Sequence, residues 1–283
     1  MTLDMILASP FLTGVVIRSL VVGVLVSLCA ALLGVSLVLK RYSMIGDGLS
    51  HVGFFALALS TAAGVTGAYT MEASLPIVIL AAVLILRLSN SKKIKGDAAC
   101  AIVSTGAVAI GTLINNVLGV RSADVCSSLF GSASLETLTN KDLWLSIAMS
   151  ALMLVWYVLC ARRIFAVTFD SPFARSAGVH TDRLDLVMAI LTGITIVVGM
   201  KMMGAIMISA LILFPPMTAM RVTGSFRSTV WVSAVVSVVS FVVGFLLACR
   251  FTLQTGATVV TVQLCMFLCF ALVGQLRSKR KLV

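Results

Sequence analysis

Apolar residues follow one another along this chain in long runs that contain no charged side chain. The runs are Ser19–Leu39, Gly48–Met71, Ala73–Leu86, Ala98–Val120, Leu143–Ala161, Leu186–Met200, Met202–Met220, Ser228–Cys249 and Phe251–Leu276. An apolar helix of about 20 residues crosses a lipid bilayer, whereas the strands of a membrane barrel alternate apolar and polar residues. The pattern therefore predicts an all-α, polytopic membrane helix bundle with nine transmembrane helices.

The count of nine depends on how the region after the fifth run is divided. Leu186–Met200 is short for a span, and Lys201 with Gly204 predicts a turn between it and Met202–Met220. Without that turn, a single helix from Leu184 to Met220 would replace two spans. Eight transmembrane helices are the alternative.

Composition excludes most soluble classes of protein. The chain of 283 residues is 60% apolar and 11% charged, whereas soluble domains carry roughly 25% charged residues. So few charges cannot cover a water-exposed surface, which argues against a cytosolic or secreted enzyme. The sequence between the runs contains no linker or repeat, so we expect one transmembrane domain covering residues 1–283.

Lys and Arg are distributed unevenly between the two ends of the predicted helices. Of the 21 in the chain, those on the poorer side of a nine-span arrangement are Arg18, Arg121, Lys141, Lys201 and Arg250. Cytoplasmic loops of membrane proteins are enriched in Lys and Arg. The bias predicts an N-terminus outside the cell and a cytoplasmic C-terminus. It also accounts for the net charge of +11, so we predict no nucleic-acid partner.

Cysteines and small residues are interpreted as packing features. Cys100, Cys265 and Cys269 lie in apolar runs, where a thiol behaves as a small apolar group. Cys265 and Cys269 share one helical face, which raises a metal site as an alternative that no further thiol pair supports. Ala30 and Gly34, one turn apart, favour close contact between helices.

Asp47 is the charged residue that most needs an explanation, because it immediately precedes the apolar run Gly48–Met71. An ionisable group at membrane depth costs about 2.5–3.5 kcal/mol and marks a candidate functional site. His51 follows four residues later, on the same face of a helix. A carboxylate and an imidazole one turn apart can bind one divalent cation together.

Two structural interpretations of Asp47 and His51 remain open at this point. Asp47 can be an interfacial residue at the start of a helix, where it offsets Lys40 and Arg41. Alternatively, the two side chains form a hydrogen-bonded polar pair inside the bundle. The spacing alone does not distinguish either from a metal site.

Four segments in register resemble the metal-ion permease family of ABC transporters. Ser43–His51 resembles its Ser-Leu-x-Gly-Asp-Ala-Leu-Ser-His segment, and Phe169–Val179 resembles its cytoplasmic Phe-Asp-Pro-x-x-Ala-x-x-x-Gly loop. Met203–Pro215 is similar to a Val-Gly…Leu-Leu-Leu-Pro helix. Leu129–Gly131, followed by Asp142–Trp144, is similar to the outer-side segment. The resemblance covers nearly the whole chain.

The sequence departs from the family pattern at a few positions. Gly48 replaces the usual Ala, and Phe55 with Ala56 stand where many members have Pro-Gly. In the loop, Ser171 occupies the usual proline position and Pro172 follows it.

The resemblance implies a site, a set of partners and a location. Asp47 and His51 would line the translocation path and bind the ion in transit. Phe169, Asp170, Arg175 and Gly178 would belong to the loop that contacts the ATPase. Family members pair as two permeases, identical or related, over two ATPase subunits in the bacterial cell (inner) membrane, and an extracellular or periplasmic protein delivers the metal ion.

The function predicted from all these features is the membrane subunit of an ATP-driven importer of a divalent transition-metal ion. The mechanism would be alternating access, with zinc ranked ahead of manganese or iron and no permanently bound cofactor. The chain has no Gly-x-x-x-x-Gly-Lys-Ser/Thr motif, so ATP hydrolysis is expected on a separate chain. The alternatives are an ion-coupled secondary transporter with Asp47 as proton carrier, and an intramembrane enzyme.

Overall fold

The regular structure is helical throughout the part of the chain that the computed structural model describes, namely residues 10–40, 44–65, 69–89, 96–119, 140–251 and 253–280. The helices are α1 (Pro10–Leu39), α2 (Ile45–Ala62), α3 (Thr70–Ser89), α4 (Gly96–Val117), α5 (Asn140–Phe169), α6 (Ser171–Ser176), α7 (Thr181–Met203), α8 (Ala205–Met220), α9 (Phe226–Phe251) and α10 (Thr255–Arg280). The prediction of an all-helical bundle is confirmed.

Six helices in the described residues are long and apolar enough to cross a membrane, and these are α1, α4, α5, α7, α9 and α10. α8 is apolar but shorter. Each predicted run coincides mainly with one helix, and α2 and α3 are among these helices. The multi-pass bundle is therefore supported, while the number of crossings and the orientation of the termini stay predictions.

The predicted turn between α7 and α8 is present at Gly204. This residue has φ 88° and ψ 158° and separates the two helices, and its N–H donates to the Met200 carbonyl. A positive φ is tolerated readily by glycine because it has no Cβ. The segment Leu184–Met220 is thus not one continuous helix.

Two helix boundaries differ from the predicted runs. α2 ends at Ala62, short of Met71, because Gly64 adopts φ 78° and its N–H donates to the Thr61 carbonyl. Such a turn closes a helix without any polar residue to reveal it. At the other boundary, α5 continues past Ala161 to Phe169 with Arg162 and Arg163 exposed.

α1 occupies the centre of the bundle and packs against α5, α7, α8 and α9. α4, α5 and α10 instead carry many exposed large apolar side chains, such as Leu113, Val158 and Leu268. An exposed apolar surface of this extent is expected where helices meet lipid. Small residues of α1 such as Ala30, Ala31 and Gly34 allow other helices to pack closely around it.

Small residues allow the central helices to approach closely. A Cβ added to Gly34 of α1 would lie 2.1 Å from the Ile212 carbonyl oxygen of α8. Pro216 has no N–H, so this carbonyl lacks its normal partner within the helix. Ser237 of α9 donates a 2.8 Å hydrogen bond to the Ser27 carbonyl of α1. The close contact predicted at Gly34 is therefore made by the backbone of α8.

We expect Gly34→Ala to lower the midpoint of thermal unfolding, because the added methyl group forces α1 and α8 apart. Overpacking of this kind costs about 1–3 kcal/mol. Gly106→Ala on α4 is the matched control, since a Cβ there meets no atom within 4 Å. The midpoint can be measured by dye-monitored unfolding in detergent. Equal midpoints for Gly34→Ala and Gly106→Ala would contradict the described contact.

Candidate metal site

The first turn of α2 lies inside the bundle and not at its end. A Cβ on Gly46 would lie 3.1 Å from Cγ2 of Ile212, and Gly34 contacts the carbonyl of the same residue. Ile212 lies in the middle of α8. Because a helix rises 1.5 Å per residue, Gly34 is about 8 Å from the end of α1 at Leu39, and the start of α2 is at that depth.

Asp47 and His51 are adjacent on this first part of α2. Oδ1 of Asp47 is 3.6 Å from Nε2 of His51, and the exposed side-chain fractions are 49% for Asp47 and 23% for His51. The distance exceeds that of a good N–H···O hydrogen bond, about 2.7–3.2 Å. The side chains of Asp47 and His51 are therefore not hydrogen-bonded to each other. Asp47 lies in the first turn, where the helix dipole favours a negative charge.

The spacing of the two atoms suits shared coordination of one ion. Ligand atoms about 2.1 Å from a tetrahedral metal ion lie about 3.4 Å from each other, close to the 3.6 Å between Asp47 and His51. Nδ1 of His51 is buried and has no hydrogen-bond partner in the described part of the chain. Nε2 is therefore the imidazole nitrogen that faces the carboxylate, and an ion could contact both atoms from one side.

The rest of α2 is held by contacts around this pair. Ser50 is buried, and its hydroxyl donates a 2.8 Å hydrogen bond to the Asp47 carbonyl. On the opposite face of the helix from the pair, Gly53 makes room for the thioether of Met200, whose sulfur lies 3.0 Å from where a Cβ would be. The backbone that carries Asp47 and His51 is therefore packed on the side away from them.

α4 runs parallel to α2 and places Cys100 beside the first turn of α2. Gly48 lies against Cys100, and farther along the two helices the ring of Phe54 lies against Gly111. Because both residue numbers increase together, the helices begin at the same level. Asp47 and Asp97 are both close enough to Cys100 to act on it electrostatically.

Sequence reasoning missed this neighbourhood, since it treated Cys100 as a packing residue only. The available signal was that Asp47 and Asp97 each lie in the first turn of an apolar helix. Among the residues that the structure describes, no group of three or more His, Cys, Asp or Glu side chains is close enough to hold a metal ion. Asp47 and His51 are the two candidate ligands that lie next to each other on α2.

The predicted contact loop after Phe169 contains a short helix, α6. Asp170 caps it, because Oδ1 of its side chain accepts a 2.9 Å hydrogen bond from the Phe173 N–H. Gly178 follows with φ 83°. An aspartate N-cap followed by Pro172 in the first turn is a helix-start signal that the loop prediction did not use.

Contacts of Arg175 and of nearby phenylalanines connect the region of α6 to α7 and α9. Nη2 of Arg175 lies 2.6 Å from Oδ1 of Asp182, at the start of α7. Phe165 and Phe169 at the end of α5 contact Phe226 of α9, with ring centroids 5.2 and 6.1 Å away. Phe173 of α6 is exposed. α6 therefore exposes the apolar side chain of Phe173, while the ion pair and the aromatic contacts hold the neighbouring helices.

Two predicted features lie outside the described residues: Ser43 of the first motif and the Leu129–Gly131 segment. The thiols Cys265 and Cys269 are described and exposed on α10, as expected for a surface-facing pair.

Comparison with protein families and characterised sequences identifies relatives along the full chain. The family described as "ABC 3 transport family" matches residues 13–274. A "probable iron transport system membrane protein" of Haemophilus influenzae is 29% identical over 88% of this chain and 90% of its own length. The manganese import system permease protein ScaB of Streptococcus gordonii is 26% identical, with 91% and 89% covered. The high-affinity zinc uptake system membrane protein ZnuB of Buchnera aphidicola is 27% identical, with 84% and 89% covered.

A solved structure shares the fold. PsaBC from Streptococcus pneumoniae, in complex with a Fab, superposes with a TM-score of 0.79 at 23% identity, covering 94% of this chain and 93% of that one. The two chains therefore share their fold over almost their full lengths. Because the family match extends over nearly all of its residues, this chain belongs to the ABC 3 transport family and is a permease subunit whose ATPase is a separate chain.

Proposed function

We propose that this chain imports a divalent transition-metal ion by alternating access, driven by ATP hydrolysis on its partner. The observation that carries the proposal is the 3.6 Å gap between Oδ1 of Asp47 and Nε2 of His51 at a depth inside the bundle. An oxygen and an imidazole nitrogen suit zinc, manganese and ferrous iron. The names of the relatives include all three metals, which supports the class of ion.

Zinc is the metal that we rank first, ahead of manganese and iron. Histidine nitrogen and carboxylate oxygen are common zinc ligands at about 2.0–2.2 Å. A site with two protein ligands and water also releases its ion more readily than a closed structural site with four protein ligands. Rapid release is what a transport path requires, so the small number of ligands supports transit over storage.

The exposure of Asp47 supports a path shared with a second permease. Its carboxylate is 49% exposed although the first turn of α2 lies about 8 Å inside the end of α1. A carboxylate facing lipid at that depth would be costly. We infer that this face of α2 meets an aqueous path between two permease copies, identical or related.

The remaining features of the assembly follow from the same proposal. One transmembrane domain, residues 1–283, spans a bacterial inner membrane nine times, with the N-terminus outside and the C-terminus in the cytoplasm. Two ATPase subunits bind on the cytoplasmic side through α6, and an extracellular or periplasmic protein delivers the ion. Membership of an ABC family argues against the alternative in which a proton carried by Asp47 supplies the energy.

The proposal is tested by reconstituting the permease with its ABC ATPase and metal-binding protein in proteoliposomes. Uptake of radiolabelled zinc, manganese and iron is measured in parallel, with ATP or with a proton gradient on its own. We expect ATP-dependent accumulation of at least one of the three ions. Uptake driven by the gradient without ATP would overturn the proposal in favour of secondary transport.

The orientation can be tested by thiol labelling in intact cells. In a background without native cysteines, Ser176→Cys in α6 should react with an impermeant maleimide only after the cells are opened. Ala63→Cys, exposed at the opposite end of α2, is the matched control and should react from outside. The reverse pattern would invert the topology.

A further inference from the structure

A half-buried ion pair joins the end of α1 to the start of α7, two parts of the chain with separate roles in the proposed function. Nζ of Lys40, the residue after α1, pairs with Oδ1 of Asp185 in the second turn of α7. The exposed side-chain fractions are 14% for Lys40 and 22% for Asp185. The Arg175–Asp182 pair nearby is 65% and 81% exposed. Pairs as exposed as the latter contribute little, whereas removing one member of a buried pair leaves an uncompensated charge.

Asp185 is connected firmly to α6. The N–H groups of Ala177, Gly178 and Val179 donate to carbonyls within α6 and its closing turn. The guanidinium of Arg175 donates to the hydroxyl of Thr181, the first residue of α7, at 3.3 and 3.1 Å. Ala174 is fully buried. α6, its closing turn and the start of α7 are thus a hydrogen-bonded unit, and a displacement of α6 is carried to Asp185 one turn into α7.

Lys40 lies near the start of α2. Its N–H donates to the Ser36 carbonyl, which continues α1, and its positive charge suits the C-terminal end of that helix. Ile45, the first residue of α2, lines the same small cavity as Lys40 and Asp185. Asp47 follows two residues later. The ion pair is therefore at the junction from which the metal site extends.

The ion pair adds a polar contact to the packing of α1 on α7. A cavity of about 620 Å³ separates α6 from the end of α1, and its lining includes Lys40, Asp170, Arg175 and Asp185. The Lys40–Asp185 contact forms part of the wall of this cavity. A displacement of α6 can therefore reach the end of α1 through this contact as well as through the packing of α7 on α1.

We propose that Lys40 and Asp185 are positioning residues, whose ion pair transmits the displacement of α6 to the first turn of α2 and so to Asp47 and His51. The inference rests on the proposed function, in which α6 receives the movement of the ATPase. Neither residue touches the ion. Their role is to keep the α1–α2 junction and the start of α7 moving together.

The test uses the complete complex with its ABC ATPase, reconstituted in proteoliposomes. The variants are Lys40→Met, Asp185→Asn and the charge exchange Lys40→Asp with Asp185→Lys. Asp182→Asn is the matched control, because it makes the same chemical change in an exposed pair on the same helix. Three quantities are measured: ATPase co-purified per permease, ATP hydrolysed, and metal transported per ATP.

We expect Lys40→Met and Asp185→Asn to retain the ATPase and its hydrolysis, while metal transported per ATP falls about tenfold or more. The charge exchange should restore that ratio to within about threefold of wild type, and Asp182→Asn should not change it. A variant that only misfolds reduces the amount of complex and not the ratio, so the ratio separates positioning from stability.

Each other outcome has a distinct meaning. A normal ratio in Asp185→Asn, or failure of the charge exchange to restore it, would overturn the ion-pair proposal while leaving metal import intact. Absence of ATP-dependent uptake by the wild-type complex would instead overturn the proposed function itself.

Discussion

Replacing Asp47 by Asn, or His51 by Gln, is expected to reduce metal uptake by the reconstituted complex by about 100-fold or more. Each change weakens one of the two proposed ligands, whose atoms lie 3.6 Å apart: Asn keeps an oxygen but loses the charge, and Gln lacks the imidazole nitrogen. Loss of even an outer-sphere partner costs 10–100-fold in other metal sites. Both replacements are polar and of similar size, so insertion and assembly with the ATPase should be normal. Uptake of radiolabelled zinc and manganese is the measurement.

The controls separate a ligand from a general requirement for charge. Asp97→Asn removes a carboxylate from the first turn of α4, beside Cys100 and at the same level as Asp47. It should change uptake far less than Asp47→Asn. Ser50→Ala removes only the hydrogen bond to the Asp47 carbonyl and should have a small effect. Wild-type uptake in both Asp47→Asn and His51→Gln would remove this pair from the translocation path.

Deleting Ser171–Gly178 is expected to abolish co-purification of the ATPase and, with it, metal-stimulated ATP hydrolysis. The deletion removes α6 with its exposed Phe173 and the Arg175 guanidinium, which form the proposed docking surface. Co-purification on an affinity tag and the hydrolysis rate with metal-loaded binding protein are the two measurements. Hydrolysis is not expected from the permease alone, because it lacks a phosphate-binding loop.

A smaller change tests the same element without removing it. Gly178→Ala strains a backbone with φ 83°, although a Cβ there has open space around it. Gly64→Ala is the matched control, because its φ of 78° and its open surroundings are the same but it lies at the end of α2. We expect weaker ATPase binding only for Gly178→Ala. If both the deletion and Gly178→Ala left binding unchanged, the turn from Arg221 to Arg227 would become the next candidate.

Local sequence determined the features that depend on neighbouring residues. Membrane insertion depends on the length of an apolar run, so each run predicted from Ser19 to Leu276 overlaps a helix in the structure. Asp47 and His51 were predicted to share a face because four residues make about one helical turn. The break at Gly204 was predictable since glycine tolerates a positive φ.

The sequence contained signals for two further helix boundaries, but hydropathy does not change at either of them. α2 ends at Ala62 through a glycine turn made of small residues, which hydropathy does not distinguish from a continuing helix. α6 begins at an Asp170 cap within a polar segment that was interpreted as a loop. In both cases, the hydrogen bonds of the backbone set the boundary, and the apolar pattern did not change there.

Only the tertiary structure decided how the helices combine. The depth of Asp47 follows from the contacts of Gly34 and Gly46 with Ile212, and Cys100 reaches the site because α4 packs parallel to α2. Lys40 and Asp185 form their ion pair across 145 positions in the chain. No helical period relates residues so far apart, because their distance is set by which faces of which helices pack together. The sequence by itself determined the apolar helices and the shared helical face of Asp47 and His51, and packing decided what surrounds that pair and what connects it to α6.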